Sequence, residues 1–145
     1  MKLHSILSLS IVFALLFSCS NIKNKFNTEL ADKMKLEVNF INNQMPQTDN
    51  SSSKYISFMI LPESGSFEEN WKATSLTASS GDLQVEILKF DKNEFEAKGD
   101  KVYRNNARMG LSELGSTIDI TIVLVSDSGE QIKLSKSGIQ EEIVQ

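Results

Sequence analysis

From residue 35 onward, apolar side chains return at every second position in short runs, and each run stops at a cluster of turn-forming residues. The strongest case is the stretch 117–125, where Ile118, Ile120, Ile122 and Leu124 share one face of an extended chain. Leu36, Val38 and Phe40 alternate in the same way with Lys35, Glu37 and Asn39, and Leu83, Val85 and Ile87 with Gln84 and Glu86. A period of two is the mark of a strand with one buried face. Further strands are expected over residues 55–61, stopped by Pro62 to Gly65, over 71–78, stopped by Ser79 to Gly81, over 94–102, over 131–134 and over 139–144. Residues 126–130 (Ser-Asp-Ser-Gly-Glu) read as a hairpin connection with a glycine available for positive φ. Two polar stretches, 42–53 and 103–116, read as long loops, and no amphipathic helix of about ten residues or more is visible.

This pattern predicts an all-β fold, an antiparallel immunoglobulin-like β-sandwich of about seven to eight strands. Turn signals at roughly 8–12-residue spacing are those of sandwiches and barrels, and two long connections suit crossings between sheets. The chain has a single cysteine, so no intramolecular disulfide can form and stability must come from packing and strand pairing. Trp71, the only tryptophan, reads as an anchor between sheets, with a ligand-stacking role as the alternative.

The cysteine, Cys19, closes the one strongly apolar run. Lys2 gives a basic head, residues 6–17 form an apolar segment of about a dozen residues, and Leu16, Phe17 and Ser18 lead into Cys19. A basic head, a short apolar region and a small residue before the cut are a secretory signal. The run is shorter than the roughly 20 residues a spanning helix needs. With Leu16 three residues before the cysteine and Ser18 just before it, the segment resembles the lipobox of bacterial lipoproteins. That resemblance covers residues 1–19. It implies that residues 1–18 are removed and that Cys19 carries a thioether-linked diacylglycerol and an acylated amine, palmitate-type chains that anchor the protein to a membrane. Each buried CH₂ is worth about 0.8 kcal/mol, so a single chain binds only marginally and several anchor stably. Ser20, in place of an aspartate, implies sorting to the outer membrane, facing the periplasm. Residues 19–33 then read as a lipidated tether and 34–145 as the β-sandwich domain, with a core that starts at 34 or, if 42–53 is a second linker, near 54. Lys23 and Lys25 lie close to the anchor, where each is either drawn to anionic headgroups, a gain on the order of 1 kcal/mol, or simply solvated.

The residues also limit the chemistry. His4, the only histidine, leaves with the signal, and no thiol would remain, which removes Ser-His-Asp and Cys-His catalysis and the usual ligands of zinc, copper and haem sites. No cofactor and no metal are expected, and the domain is not expected to be an enzyme. A carboxylate-only hydrolase is the remoter alternative; Glu68 and Glu69, being adjacent, would point to opposite faces of a strand. The stretch from Asp91 to Glu96 begins like a calcium loop, but Phe95 and Glu96 stand where an oxygen ligand and a glycine belong. The formal charge of −4, with no basic block, argues against nucleic acid. The two arginines, Arg104 and Arg108, both fall in the second long loop beside Tyr103, and Arg and Tyr are enriched at interface hot spots. Tyr103, Arg104 and Arg108 are therefore the candidate binding loop; the structural alternative pairs an arginine with Glu113 or Asp119. The expected function is a non-catalytic binding or assembly module for an envelope protein or glycan, with a ligand- or calcium-binding protein as the alternative.

Overall fold

The computed structural model describes residues 25–45, 53–90, 103–108 and 110–145. One short helix, α1 (Thr28–Ala31), precedes seven strands: β1 (Met34–Asn43), β2 (Lys54–Pro62), β3 (Trp71–Ser80), β4 (Leu83–Ile87), β5 (Tyr103–Ala107), β6 (Thr117–Ser126) and β7 (Gln131–Val144). They form a sheet of order β4-β3-β6-β7-β1-β2-β5. The first part of β7 pairs antiparallel with β6, and its last residues pair parallel with β1, from Phe40 opposite Glu141 to Asn43 opposite Val144. The sheet thus curls on itself through β7.

Taken in chain order as A, B, C, C′, E, F and G, these strands give an A-B-E sheet and a C′-C-F-G sheet, which is the immunoglobulin arrangement. The expected all-β class holds, with one correction. The sheet is mixed, not purely antiparallel, because strand β7 outruns β6 and its free edge is taken up by β1 running the same way. Residues 131–134 and 139–144, expected as two strands, are one strand of 14 residues.

The joint in β7 has a local cause. Ile118 pairs with Ile139 and Ile120 with Lys136, so β7 holds one residue more than β6 across this step. Gly138 sits there at φ +70°, and its N–H donates to Asp119 Oδ1 at 2.8 Å. A bulge of this kind bends a strand and sharpens its twist. It turns β7 out of the β6 ladder and toward β1.

Alternation accounts for the core. Phe40, Ile56, Phe58, Ile60, Leu76, Ile118, Ile122, Leu124 and Ile132 are essentially fully buried and belong to one cluster fed by both halves of the sheet. Burying a side chain of this size contributes about 1.5–3 kcal/mol. Trp71 is buried at the start of β3, which assigns it to the core. Val38 and Phe40 are buried as well, so β1 is an integral core strand and the core begins well before residue 54.

Two further expectations change. The tether was expected to run to residue 33, but it docks earlier. Asn27 caps α1 by accepting from Leu30 N, its own N–H donates to Gln131 O at 2.8 Å, and its amide donates to the Glu130 carboxylate. Leu30 and Ala31 pack against the core. Residues 103–107, expected as part of a loop, are the edge strand β5, paired with β2 from Ile56–Ala107 to Ile60–Tyr103. The strand expected over 94–102 and the calcium-like stretch 91–96 lie outside the described residues.

Candidate functional site

The candidate loop residues are held by β5 and the turn that follows it. Arg104 lies opposite Met59 and Tyr103 opposite Ile60 in the β2–β5 ladder. Arg108 is the first residue past β5, and its guanidinium carbon stands 5.1 Å from the centre of the Tyr55 ring. A cation over an aromatic face at an exposed site contributes about 0.5–1 kcal/mol. Tyr55 was not singled out by the sequence; only the pairing of β2 with β5 brings it under Arg108. The expected partner Asp119 instead accepts the Gly138 amide, at the joint in β7.

Residues 111–114 are tied down. Leu111 and Leu114 are buried, and Leu114 N donates to Leu111 O at 3.2 Å, closing a turn. Lys54, the first residue of β2, donates from Nζ to the Leu114 carbonyl at 2.8 Å and forms an ion pair with Glu141 Oε1 at 2.9 Å. Its Nζ also stands 5.6 Å from the centre of the Phe40 ring. The two side chains are only 15% and 11% exposed. One ammonium thus links β2, the turn before β6, the end of β7 and the aromatic core of β1.

The outer surface of β1 and β2 carries a shallow hollow of about 270 Å³ lined by Glu37, Asn39, Ser57, Phe58 and Met59. Its position follows from register: Asn39, Ser57 and Asn106 stand in one row across β1, β2 and β5, and Ser57 is a small side chain between longer ones. Small-molecule sites usually occupy roughly 300–1,000 Å³ and are mainly apolar, so this recess is small and polar for such a role. Glu37 is the one titratable group in the lining. The hydrogen bond from Lys35 Nζ at 2.7 Å, and then its charge, hold the Glu37 carboxyl below the usual carboxylate range. The lining can accept and donate hydrogen bonds but presents no second acid to pair with Glu37.

At the opposite end of the domain from Arg108, Glu69 accepts from Ser128 N and from Ser128 Oγ, both at 3.0 Å. Burial works to raise the Glu69 carboxyl, but hydrogen bonds from Ser128 and Ser126 together outweigh it, and the carboxyl lies below its ordinary value. Among the described residues no three His, Cys, Asp or Glu side chains gather where they could hold a metal ion. No helix among them is long and apolar enough to cross a membrane. Cys19 lies outside the described residues. No family model, curated protein or solved structure matches this chain.

Proposed function

We propose that the chain is a lipid-anchored protein of the bacterial envelope whose immunoglobulin-like domain acts as a non-catalytic binding or assembly module. The observation that carries this reading is Cys19 closing the apolar leader directly after Leu16, Phe17 and Ser18. In this reading acyl chains on Cys19 hold the domain at an outer membrane, facing the periplasm, and the domain recruits an envelope protein or glycan. The domain suits a scaffold role: a single core, two buried leucines fixing the turn after Arg108, and a guanidinium stacked on Tyr55 at its rim. Loops positioned by a rigid sheet are where binding residues concentrate.

Intact-mass analysis of detergent-extracted protein from its own host tests the anchor. The expected mass is that of residues 19–145 plus a diacylglycerol and an acyl chain, and Cys19→Ala is expected to leave the membrane fraction. A leader cut at another bond, with no added lipid, would end the proposal. The recognition half is tested by cross-linking in cells: a partner captured by the native chain and lost with Arg108→Ala supports it. Identical cross-linked products from both chains remove Arg108 from the binding surface.

A further inference from the structure

The strand directions place the domain's two ends unambiguously with respect to its N-terminal attachment. The chain enters at Asn27, whose backbone and amide are bonded to Gln131 and Glu130 beside the β6–β7 turn. The same end holds residues 63–70, joined to that turn by Asp127 N donating to Asn70 O at 3.1 Å and by Ser128 bonding to Glu69. Strand β6 spans ten residues and finishes at this end, a length of about 30 Å at ~3.3 Å per residue. At its far end lie the β3–β4 turn, Arg108, residues 110–116, Met45 and the exposed Ile143 and Val144.

Two quantities then fix how an anchor at Cys19 would hold the domain. The first is reach. Because residues 27–33 are docked, the eight steps from Cys19 to Asn27 span about 29 Å at most, at ~3.6 Å per residue. A tether running to residue 33, about 50 Å long, would have allowed the domain to invert; this one holds Asn27 within about 29 Å of the anchor, roughly the length of β6, which leaves no room for the far end to be the one nearest the lipid. The second is charge. At this end Glu29 and Lys33 are matched in their own ion pair, while Asp32, Glu63, Glu68, Glu69, Asp127 and Glu130 stand against Lys25, Lys72 and Lys133, with Lys23 in the tether beside the anchor, so the end keeps an acidic excess. An anionic leaflet repels such an end within about one Debye length, ~8–10 Å at physiological salt.

We propose that the acidic end bearing Asn27 is the membrane-facing surface of the domain, and that it stands off an anionic leaflet within the reach of the tether, with Arg108 and the far end directed away from the membrane. The proposal rests on the anchor at Cys19. It names the lipid surface as what the acidic end faces, and it confines contacts with other envelope components to the sides and the far end.

The test uses the full lipidated chain, detergent-extracted and reconstituted into vesicles. Two variants, Ser64→Cys at the near end and Ser112→Cys at the far end, each carry one free thiol, because the Cys19 sulfur is consumed by the anchor. Each is labelled with a donor dye, and energy transfer is read to an acceptor on lipid headgroups. Transfer from position 64 should exceed that from position 112 several-fold in phosphatidylcholine vesicles. Mixing in phosphatidylglycerol at low salt should lower transfer at 64, and added salt should restore it. Equal transfer from the two positions, or more from 112, overturns the orientation. A rise at 64 on adding anionic lipid overturns the stand-off. Protein that fails to float with vesicles at all refutes the anchor itself, and with it this inference, and is a readout separate from the comparison of the two positions.

Discussion

Strand β7 is held in two different ways along its length. Its first ten residues lie in an antiparallel ladder against β6, with Ile132 and Leu134 buried across from Leu124 and Ile122. Its last four lie parallel to β1, where the half of the chain facing inward contributes Glu141, and Glu141 is received by Lys54. Both seams are backbone ladders; aliphatic packing backs the first, and an ion pair whose ammonium also reaches the Leu114 carbonyl backs the second. The aliphatic seam tolerates small adjustments, since neighbouring methylenes have no preferred partner. The polar seam does not, because a nearly buried charge that loses its counterpart is left without solvation. The lesson is that the two stretches differ in kind: along β6 the side chains add many interchangeable apolar contacts to the ladder, while along β1 the ladder from Phe40–Glu141 to Asn43–Val144 carries one specific charged contact, and a shared core joins both halves.

The largest expected effect is on the aliphatic seam. Ile122→Ala removes a fully buried side chain from the middle of β6 and should cost about 2–5 kcal/mol, read as a lower midpoint in urea unfolding with an unchanged slope. A loss well under 1 kcal/mol would show that β6 is not the centre of the core. Lys54→Ala comes next. Breaking a fully buried pair costs ~3–5 kcal/mol; here some exposure is retained on both sides, so the loss should fall at or below the lower end of that range. The comparison is sharpened by where the loss appears. Native-state hydrogen exchange should show Ile122→Ala opening the whole domain, and Lys54→Ala opening residues 141–144 and the 111–114 turn first. The double change Lys54→Met with Glu141→Leu should return most of the stability, since apolar replacements of a buried pair are often neutral or better. If the double variant is as unstable as Lys54→Ala, the seam depends on more than this pair.

How much of this was legible follows the same division. Wherever one face is buried by aliphatic side chains, the sequence states it: Ile118 to Leu124, Leu36 to Phe40 and Leu83 to Ile87 alternate because a sheet face demands it. Strand β5 could not be read this way. Its residues, Tyr-Arg-Asn-Asn-Ala, have no apolar alternation, and what makes them a strand is main-chain pairing to β2. Asn105 takes an inward position there and is buried, with its own Oδ1 accepting from Asn106 N at 2.7 Å. A polar residue at an inward position leaves no apolar period to read. The contacts of Lys54 with Glu141 and of Arg108 with Tyr55 join residues far apart in sequence, so they follow from register, which local pattern does not encode. Docking of residues 27–33 was hidden for a similar reason: a single helical turn with two modest apolar residues has no period to detect.

The joint between the two seams gives a smaller effect. Gly138 is in the left-handed region with open space where a Cβ would stand, so Gly138→Ala costs backbone strain alone, about 1–2 kcal/mol, and Gly138→Asn less. Thermal melts of both should rank in that order; equal losses would mean that the bulge, not the φ angle, sets the cost.

The smallest effect is a pH dependence at the end where the chain enters. The Glu69 carboxyl lies below its ordinary value of 4.5, against burial and because Ser128 and Ser126 donate to it. A group whose folded value is depressed adds stability that is fully present above the unfolded value and is lost as pH falls through the folded one. The hydrogen bonds from Ser128 should therefore contribute at neutral pH and fade below about pH 4.5, as the carboxylate is protonated. Glu69→Gln keeps the shape and removes the titration. Melting temperatures of the two chains should differ at pH 7, with the native chain higher, and converge as pH falls through the carboxylate range. Curves that stay parallel down to pH 3 would mean that Glu69 binds its proton equally well folded and unfolded, and that the turn at residues 126–130 is held by its own backbone bonds.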